Sequence, residues 1–169
     1  MKNFFIFLLF LGLIPSMQAQ KFGVRAGADF ATAKAEFDGL SISEDETGFY
    51  VGAFARFSVS ESFNLRPEFN FISINDMDQI QVPVLAEIGI SDKFNLVAGP
   101  SFGFLLDTDS NEGEKSFNFG LDFGLSYDII SQLSIEARYS LGLSNLVEDN
   151  DFDVELKLHG LFVGLGYVF

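Results

Sequence analysis

Alternation with a period of two residues is the feature that most constrains this chain. In SFNFGLDFGLSYD, residues 116–128, the residues Phe117, Phe119, Leu121, Phe123, Leu125 and Tyr127 fall on one side of an extended backbone. Asn118, Gly120, Asp122, Gly124, Ser126 and Asp128 fall on the other. Successive side chains of a strand point to opposite faces, so one face is aromatic and greasy and the other small, polar or charged. The pattern recurs eight times, predicting strands over about 21–32, 47–59, 63–75, 79–90, 93–105, 116–128, 132–144 and 157–169. The predicted connections alternate in length: SES, SD and IIS are short, whereas AKAEFDGLSISEDE, LDTDSNEGEK and NLVEDNDFDVE are long and acidic, with NDMD the short member of that second set. Short turns at one end and longer loops at the other predict an all-β, eight-stranded antiparallel up-and-down transmembrane barrel.

The orientation of the two faces follows from volume. A soluble eight-stranded barrel would have to take roughly forty bulky apolar side chains into a lumen wide enough only for its own side chains or one small ligand. The reverse arrangement puts small and polar residues inside and aromatics against lipid, while closure satisfies every backbone group. The greasy face is therefore expected to face lipid. The inward set includes Arg25, Arg56, Arg66 and Arg138 with Asp29, Glu68, Glu87, Asp122, Asp128 and Glu136. Buried charges are costly unless paired or wetted, so these ten predict an interlocked ionic plug. The alternative is an ion pathway, which would make the protein a narrow pore for small solutes.

The start, MKNFFIFLLFLGLIPSMQAQ, has a positive Lys2, an apolar run from Phe4 to Ile14 and the helix breaker Pro15, the layout of a secretory leader. Its 11 apolar residues are too few to span ~30 Å of hydrocarbon as a helix. Cleavage is expected after Ala19, despite Met17 in place of a small residue, leaving residues 20–169 as the mature barrel. The chain carries 24 acidic and 10 basic residues, a balance that excludes nucleic acid as a partner. With no Cys, it has no disulfide, thiolate metal site or Cys nucleophile.

The last strand, KLHGLFVGLGYVF, ends in Tyr167 and Phe169 on the lipid side. This pairing resembles the terminal signal read by the outer-membrane barrel assembly machinery. The centre of the chain adds a family resemblance. Val82-Pro83-Val84-Leu85 and Phe94-Asn95-Leu96-Val97-Ala98-Gly99-Pro100, with the opening FGVRAGADFA and the closing GLGYVF, resemble the PorT-like, "porin family" outer-membrane β-barrel proteins. The Lys common in that family after the Leu pair is missing, and Glu87 stands nearby instead. The resemblance implies an integral outer-membrane barrel with both mature termini in the periplasm and the acidic loops outside. It also implies outer-membrane lipids, periplasmic chaperones and the assembly machinery as partners. It does not imply a role in secretion.

Enzymatic readings are weaker. His159 is the only histidine, expected on the lipid face near the outer interface; Ser140 and Ser144 on the neighbouring strand project the other way, so no nucleophile–base pair forms. In DTDSNEGE, Asp107, Asp109 and Asn111 have a spacing suited to a hard cation, but Gly113 and Asn118 do not fit the rest of a calcium loop. No cofactor is expected. The loops hold 16 of the 24 acidic residues, a rim that favours basic partners or cations. The expected protein is a monomeric barrel with a structural or surface-interaction role; a lipid-modifying enzyme is the third alternative.

Overall fold

The computed structural model of the chain describes residues 20–37, 40–75, 77–106, 116–146 and 155–169. The expected leader, residues 1–19, lies outside them, as do Asp107, Asp109 and Asn111. Eight strands form a closed antiparallel barrel in sequence order. They are β1 (Gln20–Phe37), β2 (Leu40–Ser58), β3 (Phe63–Ile74), β4 (Met77–Gly89), β5 (Phe94–Leu105), β6 (Phe117–Asp128), β7 (Leu133–Gly142) and β8 (Glu155–Val168). β1 closes on β8 from Gly23↔Val168 to Glu36↔Glu155, and the Phe169 amide donates to the Phe22 carbonyl at 2.9 Å.

The three short turns share one closure. The amides of Val59, Ile90 and Ile129 each donate to the carbonyl four residues on, in Phe63, Phe94 and Leu133. In the second, Ser91 Oγ also accepts from the Phe94 amide at 3.1 Å. At the opposite end, β3 leaves through Asn75, whose φ of 48° lies in the left-handed region that Asn tolerates.

One connection is shorter than the sequence predicts. Residues 33–37 and 40–46, expected in the first acidic loop, belong to β1 and β2, which pair as far as Phe37↔Leu40. Alternation does continue there, and the Asp-Gly pair at 38–39 is a strong hairpin signal; the density of acidic residues masks both. β3 joins β2 only from Phe49↔Ser73, so β8, β1 and β2 rise beyond the rim. β7 ends two residues early, at Gly142.

The faces divide as the alternation predicts. In β6, Phe117, Leu121, Phe123 and Leu125 are exposed while Gly120, Asp122 and Ser126 are buried. Outward aromatics pair across strands at the two ends: Phe94 with Tyr127 at 4.8 Å between ring centres near the short turns, and Phe104 with Phe117 at 5.2 Å near the loops. The ten residue-to-residue steps from Phe94 to Phe104 along a strand tilted about 45° rise ~24 Å, the height of an apolar membrane band with its aromatic girdles. Among the described residues no helix is long and apolar enough to cross a membrane.

The interior is less polar than the sequence predicts. Tyr50, Ile72, Ile74 and Phe162 form a buried cluster inside the barrel, and Phe54, Leu85 and Val97 are buried there too. In β3 the residues Phe69 to Ile74 are apolar on both faces except for Asn70 and Ser73, so alternation alone could not show that Ile72 and Ile74 turn inward.

Candidate functional site

The charged residues of the lumen converge on Glu68. This residue, on β3, receives Arg25 from β1, Arg66 from its own strand at 2.8 Å and Arg138 from β7 at 3.0 Å. Asn70 Nδ2 adds a hydrogen bond at 3.1 Å. Glu136 on β7 forms the second node, reached by Arg25 at 3.2 Å, by Arg138 at 3.7 Å and by Arg66 in a short contact. Glu87 on β4 is the third, held by Arg56 at 2.8 Å and Arg66 at 2.9 Å. Arg138 also faces Asp122 at 3.5 Å, and the Ser140 hydroxyl donates to Asp122 at 2.7 Å. Some of these contacts, such as Arg66 Nε to Glu68 Oε1, are ion pairs without hydrogen-bond geometry.

Aromatic rings complete the packing. Arg25 lies 4.6 Å over the Tyr50 ring and donates to its hydroxyl at 3.0 Å. Arg66 lies 5.5 Å over Phe54 and Arg138 5.7 Å over Phe162. Such contacts gain strength when the cation is desolvated, and here Arg138 is 0 % exposed. Inward glycines let the strands accept these side chains: a Cβ on Gly164 would collide with the Ala26 carbonyl and the Tyr50 hydroxyl.

Of the ten charges expected inside, Arg25, Arg56, Arg66, Arg138, Glu68, Glu87, Glu136 and Asp122 belong to this one network. Asp128 sits half-buried beside the short turns, where Asn95 Nδ2 donates to it at 3.1 Å. Asp29 is buried yet stands apart: its Oδ1 has no hydrogen-bond partner among the described residues. The sequence reading missed Tyr50, whose placement in the inward phase between Gly48 and Gly52 was the available signal.

Outside the lumen, His159 is half-buried on the outward face and stacks on Tyr139 at 6.2 Å. Ser140 turns inward to Asp122, and Ser144 Oγ accepts from the Phe119 amide at 2.9 Å, so neither hydroxyl is spent on the imidazole. Tyr167 and Phe169 are exposed, their rings edge-to-face at 5.7 Å, on the short-turn rim. Among the described residues no group of three His, Cys, Asp or Glu is placed to hold a metal ion.

A family model described as "Outer membrane protein beta-barrel domain" matches residues 5–169. The chain belongs to this family. It is thus an integral outer-membrane β-barrel, and its lumen holds the polar and charged network beside a buried apolar cluster. No curated protein sequence matches it. Solved structures share the fold at low identity. Neisserial surface protein A is 17% identical, with 88% of this chain and 97% of that chain covered at a TM-score of 0.54. Ail, the attachment invasion locus protein of Yersinia pestis, is 15% identical over 90% of this chain and 100% of that one, at a TM-score of 0.52. OprG from Pseudomonas aeruginosa is 14% identical over 89% and 96%, at a TM-score of 0.51.

Proposed function

We propose that this outer-membrane barrel acts at its surface, through the loop rim, and that its lumen is a cross-braced core and not a conduit. The observation that carries this reading is the ionic network. Arg66 alone bridges Glu68, Glu87 and Glu136, on three strands, and Arg138, which shares Glu68 and Glu136 with it, is 0 % exposed. In this reading the mature chain is residues 20–169, both its termini lie in the periplasm and the long connections face outward. Tyr167 and Phe169 serve as the assembly signal, the exposed aromatic belt meets outer-membrane lipid, and the barrel is a monomer without enzymatic activity.

The rim sets the partner chemistry. At the loop end, counting the strand extensions together with the connections, the sequence places 16 acidic residues against Lys34, Lys115 and Lys157. One barrel of similar fold, Ail, has been crystallised with sucrose octasulfate, a heparin analogue. The acidic rim here would repel such a polyanion and favours basic partners or divalent cations. Conductance of the purified protein in a planar bilayer tests the sealed lumen. Silence is expected; steady single-channel steps would replace this reading with the narrow pore.

A further inference from the structure

The buried lumen charges do not balance. Arg25, Arg56, Arg66 and Arg138 keep their charge at any physiological pH. Five carboxylates face them: Asp29, Glu68, Glu87, Asp122 and Glu136. Four of the five lie within 4 Å of an arginine. Asp29 does not. In the register it is separated from Arg138 by Phe162, which pairs with both, and Arg138 directs its contacts to Glu68, Asp122 and Glu136. Asp29 is 3 % exposed, so its charge cannot be left to bulk water.

Asp29 lines a cavity of about 40 Å³ on the loop side of the network, together with Gln81, Ser101, Asn118 and Ser140. Gln81 is 4 % exposed, and its Oε1, like the Asp29 Oδ1, has no hydrogen-bond partner among the described residues. Asn118 Nδ2, a donor, is unpartnered there as well, so the cavity holds two orphaned acceptors and one orphaned donor, and the negative charge of Asp29 is what favours a positive occupant over water alone. The size decides which class. Room for about three water-sized particles is far below the several hundred Å³ of an organic-ligand pocket. A calcium ion takes six to eight oxygens with several carboxylates among them, and no group of three carboxylates or histidines is placed for it among the described residues. A monovalent ion requires one negative charge and a few neutral oxygens.

We propose that this cavity binds one sodium- or potassium-sized cation, with the Asp29 carboxylate as its charged ligand and the Gln81 side-chain oxygen among its neutral ones. The ion offsets the charge of Asp29. The site goes beyond the surface role above and does not depend on it.

The test uses the full mature barrel in detergent micelles with sodium, potassium or N-methyl-D-glucamine chloride at matched ionic strength. The melting midpoint should be higher by roughly 2–4 °C in the small cations than in the organic one. Asp29→Asn should abolish that difference. Crystals of the unaltered protein grown with thallium(I) supply a measurement independent of any variant, with an anomalous peak expected beside Asp29. Equal midpoints in all three salts, as when a proton neutralises Asp29, would overturn the proposal, and so would a cavity without thallium. A cation response undiminished in Asp29→Asn would locate the ion elsewhere and overturn it equally.

Discussion

Replacing Arg138 by Ala removes the most enclosed cation of the barrel, and the structure says where the cost should fall. Arg138 touches Glu68 at 3.0 Å, Asp122 at 3.5 Å and Glu136 at 3.7 Å. Each pair is worth about 5 kcal/mol at an effective dielectric of ~20, but desolvation of both partners consumes most of that. What a truncation measures is the charge it strands. Glu68 and Glu136 each keep Arg25 and Arg66. Asp122 keeps no cation among the described residues, only the uncharged hydroxyls of Ser140 and Ser101. The expected loss is therefore ~3–5 kcal/mol, the range for breaking a buried pair, and it should reside mainly on Asp122. Adding Asp122→Asn should recover roughly 1–2 kcal/mol of it. The chain has no Trp, so unfolding in urea is best followed by far-ultraviolet circular dichroism and by gel mobility. An Arg138→Ala barrel within ~1 kcal/mol of the original, or strict additivity in the double variant, would refute the reasoning. A gain of conductance without loss of stability would argue for a pore.

Other outcomes follow from particular positions. Leu121→Lys puts a charge on the lipid face midway along β6 and should cost ~2–4 kcal/mol in the same unfolding assay, whereas Ile130→Lys in a short turn should cost little. Gly164→Val drives a side chain into the Ala26 carbonyl and the Tyr50 hydroxyl, and should lower stability by about 1–3 kcal/mol or prevent folding. Deleting Phe169 removes its ring and its amide bond to Phe22; the product should be degraded or held in the periplasm, read by cell fractionation. His159→Ala should leave the lipid A profile of whole cells unchanged, since the hydroxyls of Ser140 and Ser144 are engaged elsewhere and that of Thr32, opposite His159 in the register, donates to Asp45.

The sequence carried the barrel because period two is a local signal, visible within any one strand such as 116–128. It carried the lumen charges for the same reason. It did not carry what depends on both sides of the bore at once. That Glu68 collects three arginines while Asp29 collects none is a consequence of register, and residues 70 positions apart, such as Arg138 and Glu68, leave no trace of their contact in either segment. Composition misled where it conflicted with pattern. The acidic residues 44–46 suggested a loop, yet they lie on β2. Apolarity on both faces of β3 likewise hid Ile72 and Ile74 inside the barrel.

The same non-locality gives the lumen charges a structural purpose that an apolar filling would lack. Glu68 and Arg66 on β3 meet Arg138 and Glu136 on β7, four places away around an eight-stranded ring. With neighbouring strands about 4.8 Å apart, an unclosed sheet would hold those groups ~19 Å from one another. They reach contact only when β1 meets β8 and the cylinder shuts. An open or misregistered sheet in the membrane would thus lose the pairs that cross the bore, Arg138 with Glu68 and Arg66 with Glu136, and leave those charges less well compensated in hydrocarbon. An aliphatic interior of equal volume can rival the network in net stability, as replacements of buried ion pairs often do. It would not penalise the open sheet in the same way, because lipid tails satisfy aliphatic side chains as well as a closed lumen does. The ionic lumen raises the free energy of the alternatives, and the closed register is what remains.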